Sequence, residues 1–187
     1  KIMRDAKMLK LTFCSMCIVI NILGGMIAHT VRIPLLFLDT VGTILSAALL
    51  GPFYGMATGG LSSILKALVM NPKGMPFALV NIAIGLTVGI IAKKFGFNIK
   101  TAIISGILLA IICPLIGTPI AVFLSGGFVG DPLDIVVAWM AKSGESIFVS
   151  AFVPRIFANL IDKTMSGILV VALIKNIPLK ILKPLKA

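Results

Sequence analysis

Thr101-Ala-Ile-Ile-Ser-Gly-Ile-Leu-Leu-Ala-Ile-Ile-Cys-Pro-Leu-Ile-Gly-Thr-Pro-Ile-Ala-Val-Phe-Leu124 runs for 24 residues without a charged side chain. Coiled as a helix it would be about 36 Å long, more than the roughly 30 Å of hydrocarbon in a bilayer. A water-facing helix of that length needs a polar face, and this one has none. Lipid is therefore its solvent. Comparable blocks lie on either side, at about 8–28, 53–70, 77–92 and 146–174, with a shorter one at 39–50. These predict an all-α integral membrane bundle of six transmembrane helices, with residues 1–187 forming a single transmembrane domain.

The composition agrees: 59% of residues are hydrophobic, 12% are charged, and the mean hydropathy is +1.15. Six crossings use nearly all of the 187 residues and leave little for a soluble catalytic domain. Breakers separate the blocks. Gly51-Pro52 ends the second, Asn71 to Pro76 divides the third from the fourth, and Lys93-Lys94-Phe-Gly96 closes the fourth. Pro114 and Pro119 are expected to bend the fifth, and Pro132 to Ala141 reads as a short helix within the long connection Ser125 to Glu145. Asp39 or Thr40 is the expected N-cap of the second helix. The first block lacks a small-residue cleavage pattern and reads as a span.

A net charge of +11 would suggest nucleic acid in a soluble protein, but here the cations fall between apolar blocks and at the chain ends. With the N-terminus in the cytoplasm, the inner side collects Lys1, Arg4, Lys7, Lys10, Lys93, Lys94, Lys100, Lys175, Lys180, Lys183 and Lys186. Asp39, Asp131, Asp134, Glu145 and Asp162 fall in the outer loops or within the membrane. The positive-inside rule then expects both termini in the cytoplasm, lipid as surroundings and no nucleic-acid partner.

A polar layer stands at one depth. Asp39, Asn81 and Lys163 each lie twelve positions from the inner end of their helices, about 18 Å up, with Ser62 close to that level and Lys66 about 6 Å beyond. Charges so deep cost at least ~2.5 kcal/mol each unless paired or facing a cavity. Arg155, Asn159, Asp162 and Ser166 follow one another at spacings of four, three and four, so they share a helical face that should point inward. Lys163 is placed to pair with Asp39 or Asp162. The second helix is too short to cross alone, so the segment Arg32 to Leu38 must dip into the protein beside the polar layer. These residues are the expected solute pocket. Phe37, Phe77, Trp139, Phe148 and Phe152 lie near the same half, where one or two can stack on a planar ligand, Trp139 serving equally well as an interfacial anchor.

Other features read more plainly. Cys14, Cys17 and Cys113 are small membrane-buried residues with no metal or redox context, and His29 is a loop residue without companion ligands, so no metal site is expected. Gly51, Gly55 and Gly59, like Gly85 and Gly89, repeat every four positions and suit close helix packing or a subunit-docking face. The sequence holds no phosphate-binding loop, zinc-protease pair or nucleophile elbow, so it encodes neither ATP hydrolysis nor a common hydrolase mechanism.

Leu38-Asp-Thr-Val-Gly-Thr-Ile-Leu-Ser-Ala-Ala-Leu-Leu-Gly-Pro-Phe-Tyr-Gly55, with Gly59 beyond it, and Asn159-Leu-Ile-Asp-Lys-Thr-Met-Ser166 resemble the S components of energy-coupling factor (ECF) vitamin transporters. The resemblance extends over essentially the whole chain in length, span count and loop positions. It implies a non-enzymatic, six-helix protein of the bacterial cell membrane that captures a vitamin or precursor near the outer face. Such a protein then works with a membrane scaffold subunit and two ATPases, which use the ATP, while this chain binds no cofactor. Segments Arg32 to Leu38, Asn71 to Pro76 and Ser125 to Glu145 would form the lid. The family often carries Ala-x-x-x-Ala on its first helix for docking to the scaffold. Here the comparable positions are Cys14 and Ile18 or Ser15 and Val19, with Cys17, Asn21 and Gly25 as a weaker substitute.

The substrate-binding set is thus Arg32, Phe37, Asp39, Ser62, Lys66, Asn81, Trp139, Arg155, Asn159, Asp162 and Lys163. It suits a small heterocycle with amino or hydroxyl groups, pyridoxine-like or hydroxymethylpyrimidine-like compounds among them. The alternative is a structural or assembly subunit of a membrane complex, without a solute ligand, in which the polar layer only bonds helices.

Overall fold

The computed structural model describes residues 2–31, 35–178, 182 and 185. Among these, all regular structure is helical: α1 (Ile2–Val31), α2 (Val41–Leu50), α3 (Pro52–Met70), a 3-10 turn (Pro72–Phe77), α4 (Ala78–Phe95), α5 (Ile99–Ser125), α6 (Asp134–Lys142) and α7 (Ile147–Asn176). Five of the segments are long and apolar enough to cross a bilayer. Ten-residue α2 is not; at 1.5 Å per residue it covers about half the hydrocarbon thickness. It is sealed instead, with eight of its ten residues buried. His29 belongs to α1, which continues three residues past Ala28, where the sequence reading ended the first span and placed His29 in a loop.

Small residues set the helix spacing. On α5 the buried positions Ala102, Ser105, Gly106, Leu109, Ala110, Cys113, Gly117 and Thr118 form one stripe. Its first half lies on α7: a Cβ on Gly106 would strike Thr164, and one on Gly167 would press on Ala102 at 3.2 Å, whereas Gly117 faces Phe77 and Val80. Gly55 and Gly85 meet backbone to backbone between α3 and α4, and Gly89 lies on Pro52. The glycine repeats are therefore used inside the bundle, which removes them as a docking face. Gly51 serves differently. Its φ of +94° makes the reversal between α2 and α3, with Pro52 starting the next helix.

The N-terminus of α2 is capped from another helix. Thr40 is the N-cap, one of the two residues expected there, but its side chain makes no capping hydrogen bond. Asn21 of α1 does the work: its Oδ1 accepts from the N–H groups of Gly42 (2.7 Å) and Thr43 (3.3 Å), while its Nδ2 donates to Thr43 Oγ1 (2.8 Å) and Ser62 Oγ (3.0 Å). With every polar valence used and only 1% of its surface exposed, Asn21 is no docking residue.

Ile44, Ile84, Val88, Leu109, Cys113 and Val170 build a dry core from four helices. It lies toward the end carrying Lys93, Lys94 and Lys100. At the opposite end α1, α3 and α5 finish, α4 and α7 begin, and the three long connections gather.

Candidate functional site

A cavity of about 550 Å³ lies beneath those connections. Its walls come from α2's approach, α3, α4, α5 and α7, and all three segments expected to act as a lid contribute: Phe37 from the first, Asn71 and Gly74 from the second, Val129, Gly130 and Asp131 from the third. A second cavity of about 140 Å³ lies toward α1 and shares Phe37, Asp39, Lys66, Met70 and Asp131 with it.

One ionic network organises the floor. Lys66 Nζ donates to Asp39 Oδ2 at 2.5 Å, and Lys163 Nζ lies 3.9 Å from Asp39 Oδ1. Lys163 also donates to Asp162 Oδ2 (2.6 Å) and to Thr40 Oγ1 (3.1 Å). The remaining Asp162 oxygen accepts from the backbone N–H groups of Phe37 (2.8 Å) and Leu38 (3.1 Å). A carboxylate with no exposed surface is thus satisfied on both oxygens. The same two hydrogen bonds hold a contorted connection: Leu35 and Leu38 have φ of +66° and +52°, a left-handed conformation that costs a branched residue roughly 1–2 kcal/mol. Lys163 sits 5.8 Å over the Phe37 ring, and the missing side chain of Gly25 leaves room for the Asp39–Lys66 pair, whose atoms stand 3.0 and 3.5 Å from a Cβ placed there.

Above the floor stand amides and a guanidinium. Asn81 Nδ2 donates to Ser63 Oγ, and Asn159 Nδ2 donates to the Arg155 carbonyl at 2.8 Å. Arg155, 7% exposed, donates to the carbonyls of Ala151 (2.7 Å) and Gly127 (3.0 Å), tying α7 to the α5–α6 connection. In that connection Asp134 accepts from the N–H groups of Val129 and Gly130, and Asp131 accepts from Leu133 N–H. Burial, then the neighbouring Asp134, raises the pKa of Asp131 above the ordinary carboxyl value, and Arg155 opposes the rise.

Of the residues expected at the site, Phe37, Asp39, Lys66, Asn81, Arg155, Asn159 and Lys163 line this one cavity. Asp162 is behind it, holding Lys163 and the α1–α2 connection. Ser62 faces α1 and donates to the Gly59 carbonyl, so it braces the α2 cap and does not reach the cavity. Trp139 projects from α6 with 69% of its surface exposed and is off the cavity, because α6 turns Val137 inward. Phe148 and Phe152 stack on each other at 5.6 Å and are not among the lining residues. Arg32 lies outside the described residues. Ser63, Asn71, Phe77, Asp131 and Gly117 join the lining without having been singled out for binding by the sequence, Phe77 alone having been marked as near it. Ser62 and Ser63 stand four and three positions before Lys66, so helical spacing alone fits either as its neighbour on the face.

The expected docking set divides in the same manner. Cys14, Cys17 and Gly25 are buried on the inward face of α1 together with Asn21; Cys17 and Gly25 lie against α2 and the ion pair. Ser15 is exposed, its hydroxyl donating to the Leu11 carbonyl, and Ile18 is half-buried.

Residues 9–174 match the family described as ECF transporter, substrate-specific component. The chain belongs to that family. It is a multi-pass membrane protein and the substrate-binding S subunit of an ECF transporter, a transporter subunit and not an enzyme. Membership implies a small-molecule substrate and partnership with membrane scaffold and ATPase subunits. No curated protein and no solved structure matches the chain. An S component needs a sheltered chamber for its solute, and the cavity bounded by Asp39, Asn81, Asn159 and Lys163 has the size and mixed lining of one.

Proposed function

We propose that this S component captures a water-soluble vitamin or vitamin precursor at the outer face of a bacterial cell membrane. Two ATPases, acting through the scaffold subunit, supply the energy for its delivery into the cell, and this chain binds no cofactor. The observation that carries the reading is the chamber itself, about 550 Å³ beneath three connections and lined by charged and amide side chains from separate helices. A polar layer serving only to bond helices would close on itself; here the Asp39–Lys66–Lys163–Asp162 network is satisfied and space remains above it. Lys93, Lys94 and Lys100 gather at the far end, which favours a cytoplasmic position for that end and for both termini. The ligand is a small polar heterocycle: pyridoxine-like and hydroxymethylpyrimidine-like compounds, or their phosphorylated or carboxylated relatives, offer the donors that the Asn81 and Asn159 carboxamides can receive.

The test is uptake of radiolabelled vitamins and precursors by cells expressing the chain with and without the scaffold and ATPase subunits. Accumulation of one compound only when all subunits are present is expected. Uptake indifferent to the loss of the ATPases, or no compound taken up, rejects the proposal.

A further inference from the structure

Deepening the capture reading on which it rests, we propose that the ligand carries an anionic group, a carboxylate or a phosphate, that binds the Arg155 guanidinium. Lys66 is held by Asp39 at 2.5 Å and Lys163 by Asp162 at 2.6 Å, so each lysine has its own carboxylate. Arg155 has none: among the described residues no carboxylate oxygen lies within 4.0 Å of it.

The nearest acids are committed elsewhere. Both oxygens of Asp134 accept backbone N–H groups, from Val129 at 3.1 Å and Gly130 at 2.7 Å, and Asp131 Oδ1 accepts from Leu133 at 2.9 Å. These bonds shape the α5–α6 connection; Asp131 Oδ2 alone accepts nothing among the described residues, and it too lies more than 4.0 Å from the guanidinium. Arg155 spends two of its five N–H donors on the carbonyls of Ala151 and Gly127. Three donors remain on a side chain that is 7% exposed and borders the chamber. A buried guanidinium held rigidly by neutral carbonyls is a costly arrangement without an anion, and its planar fork matches carboxylate or phosphate oxygens.

The partners beside it describe the rest of the molecule. Asn81 and Asn159 each spend one of their two amide N–H groups within the protein, on Ser63 Oγ and the Arg155 carbonyl, and keep the other for a ligand acceptor; both amide oxygens stand without a partner among the described residues. They call for N–H or O–H donors on the ligand next to its anionic end. Val80, Ile84 and Pro114 supply apolar wall for the carbon frame between them.

The experiment uses the purified full chain in lipid nanodiscs, incubated with the small-molecule fraction of a bacterial cell extract. After washing, retained compounds are released and identified by mass spectrometry. The expected result is one enriched compound bearing a carboxylate or phosphate, retained about ten- to a hundredfold less by Arg155→Gln and partly by Arg155→Lys. Treating the extract with phosphatase beforehand abolishes retention of a phosphate ester and spares a carboxylate. An enriched neutral or cationic compound overturns the anion assignment and leaves capture standing, as does an anion retained equally by Arg155→Gln. Enrichment of nothing overturns capture and the assignment together. Should Arg155→Gln fail to fold, the charge of the compound held by the parent chain decides.

Discussion

Asp162 Oδ1 accepts the backbone N–H of Phe37 at 2.8 Å, joining residues 125 positions apart. Through this bond the middle of α7 fixes the connection that fills the membrane depth α2 leaves empty.

Replacing Asp162 with alanine removes the acceptor for Phe37 and Leu38 and the partner of Lys163 at once. Breaking such a buried pair is expected to cost about 3–5 kcal/mol. Asp162→Asn keeps one acceptor oxygen for the two N–H groups and should lose less, about 1–3 kcal/mol. Thermal unfolding in detergent, followed by tryptophan fluorescence or calorimetry, ranks the two; equal losses would show that the backbone hydrogen bonds contribute nothing.

The Asp39–Lys66 pair is partly open to the cavities, with 19% and 30% of the side chains exposed. Solvent screening limits its worth, so a double-mutant cycle with Asp39→Asn and Lys66→Gln should give a coupling of about 1 kcal/mol, not the several expected of a sealed pair. Measured coupling above about 3 kcal/mol would contradict this exposure.

Gly85→Ala forces a methyl group into the backbone of Gly55 and is expected to destabilise the bundle by about 1–3 kcal/mol. Gly74→Ala meets only Ala67 Cβ at 3.9 Å and should change stability by no more than about 0.5 kcal/mol. Similar unfolding midpoints for the two variants would refute the close α3–α4 contact.

Asp131 titrates with a raised pKa because it is buried beside Asp134. The sign follows: the carboxyl is harder to ionise in the folded chain, so its contribution to stability is complete below the ordinary Asp value, about 3.9, and is lost as pH rises through the raised one. Asp131→Asn retains an acceptor for Leu133 N–H and removes that loss. Its unfolding midpoint should exceed the parent's at neutral pH and converge with it below about pH 3.9. A constant difference across the range would exclude Asp131 as the group responsible.

Trp139→Ala should leave substrate retention unchanged and stability within about 0.5 kcal/mol, since the indole is off the chamber and 69% exposed. Loss of retention in a folded variant would return Trp139 to the site.

Depth and helical face made much of the site readable in the sequence. Asp39, Asn81 and Lys163 could be set at one level by counting residues, and the spacing of Arg155, Asn159 and Asp162 gave their common side. Counting could not tell Ser62 from Ser63, since neighbours on α3 differ by about 100° and only the crossing of α1 decides which one meets Asn21. Nor could it separate Asn21 and Gly25 from an outward docking face. Small and amide residues suit a subunit contact as well as an internal one, and the identity of the helix lying against them is a tertiary fact. Trp139 failed for a related reason: an aromatic near the bilayer surface is equally at home facing outward, and the orientation of a nine-residue helix is set by what Val137 packs on. The stripe of small residues on α5, by contrast, repeats every four positions in plain view and needed only to be matched with α7.

The hydrocarbon seal made by Ile44, Ile84, Val88, Leu109 and Val170 determines how a guest can leave. Buried apolar side chains contributed by four helices stand between the chamber and the lysine-rich surface, and a polar guest crossing them would lose its hydrogen-bond partners. Release on that side therefore requires the helices carrying this cluster to separate or the subunit to move as a whole.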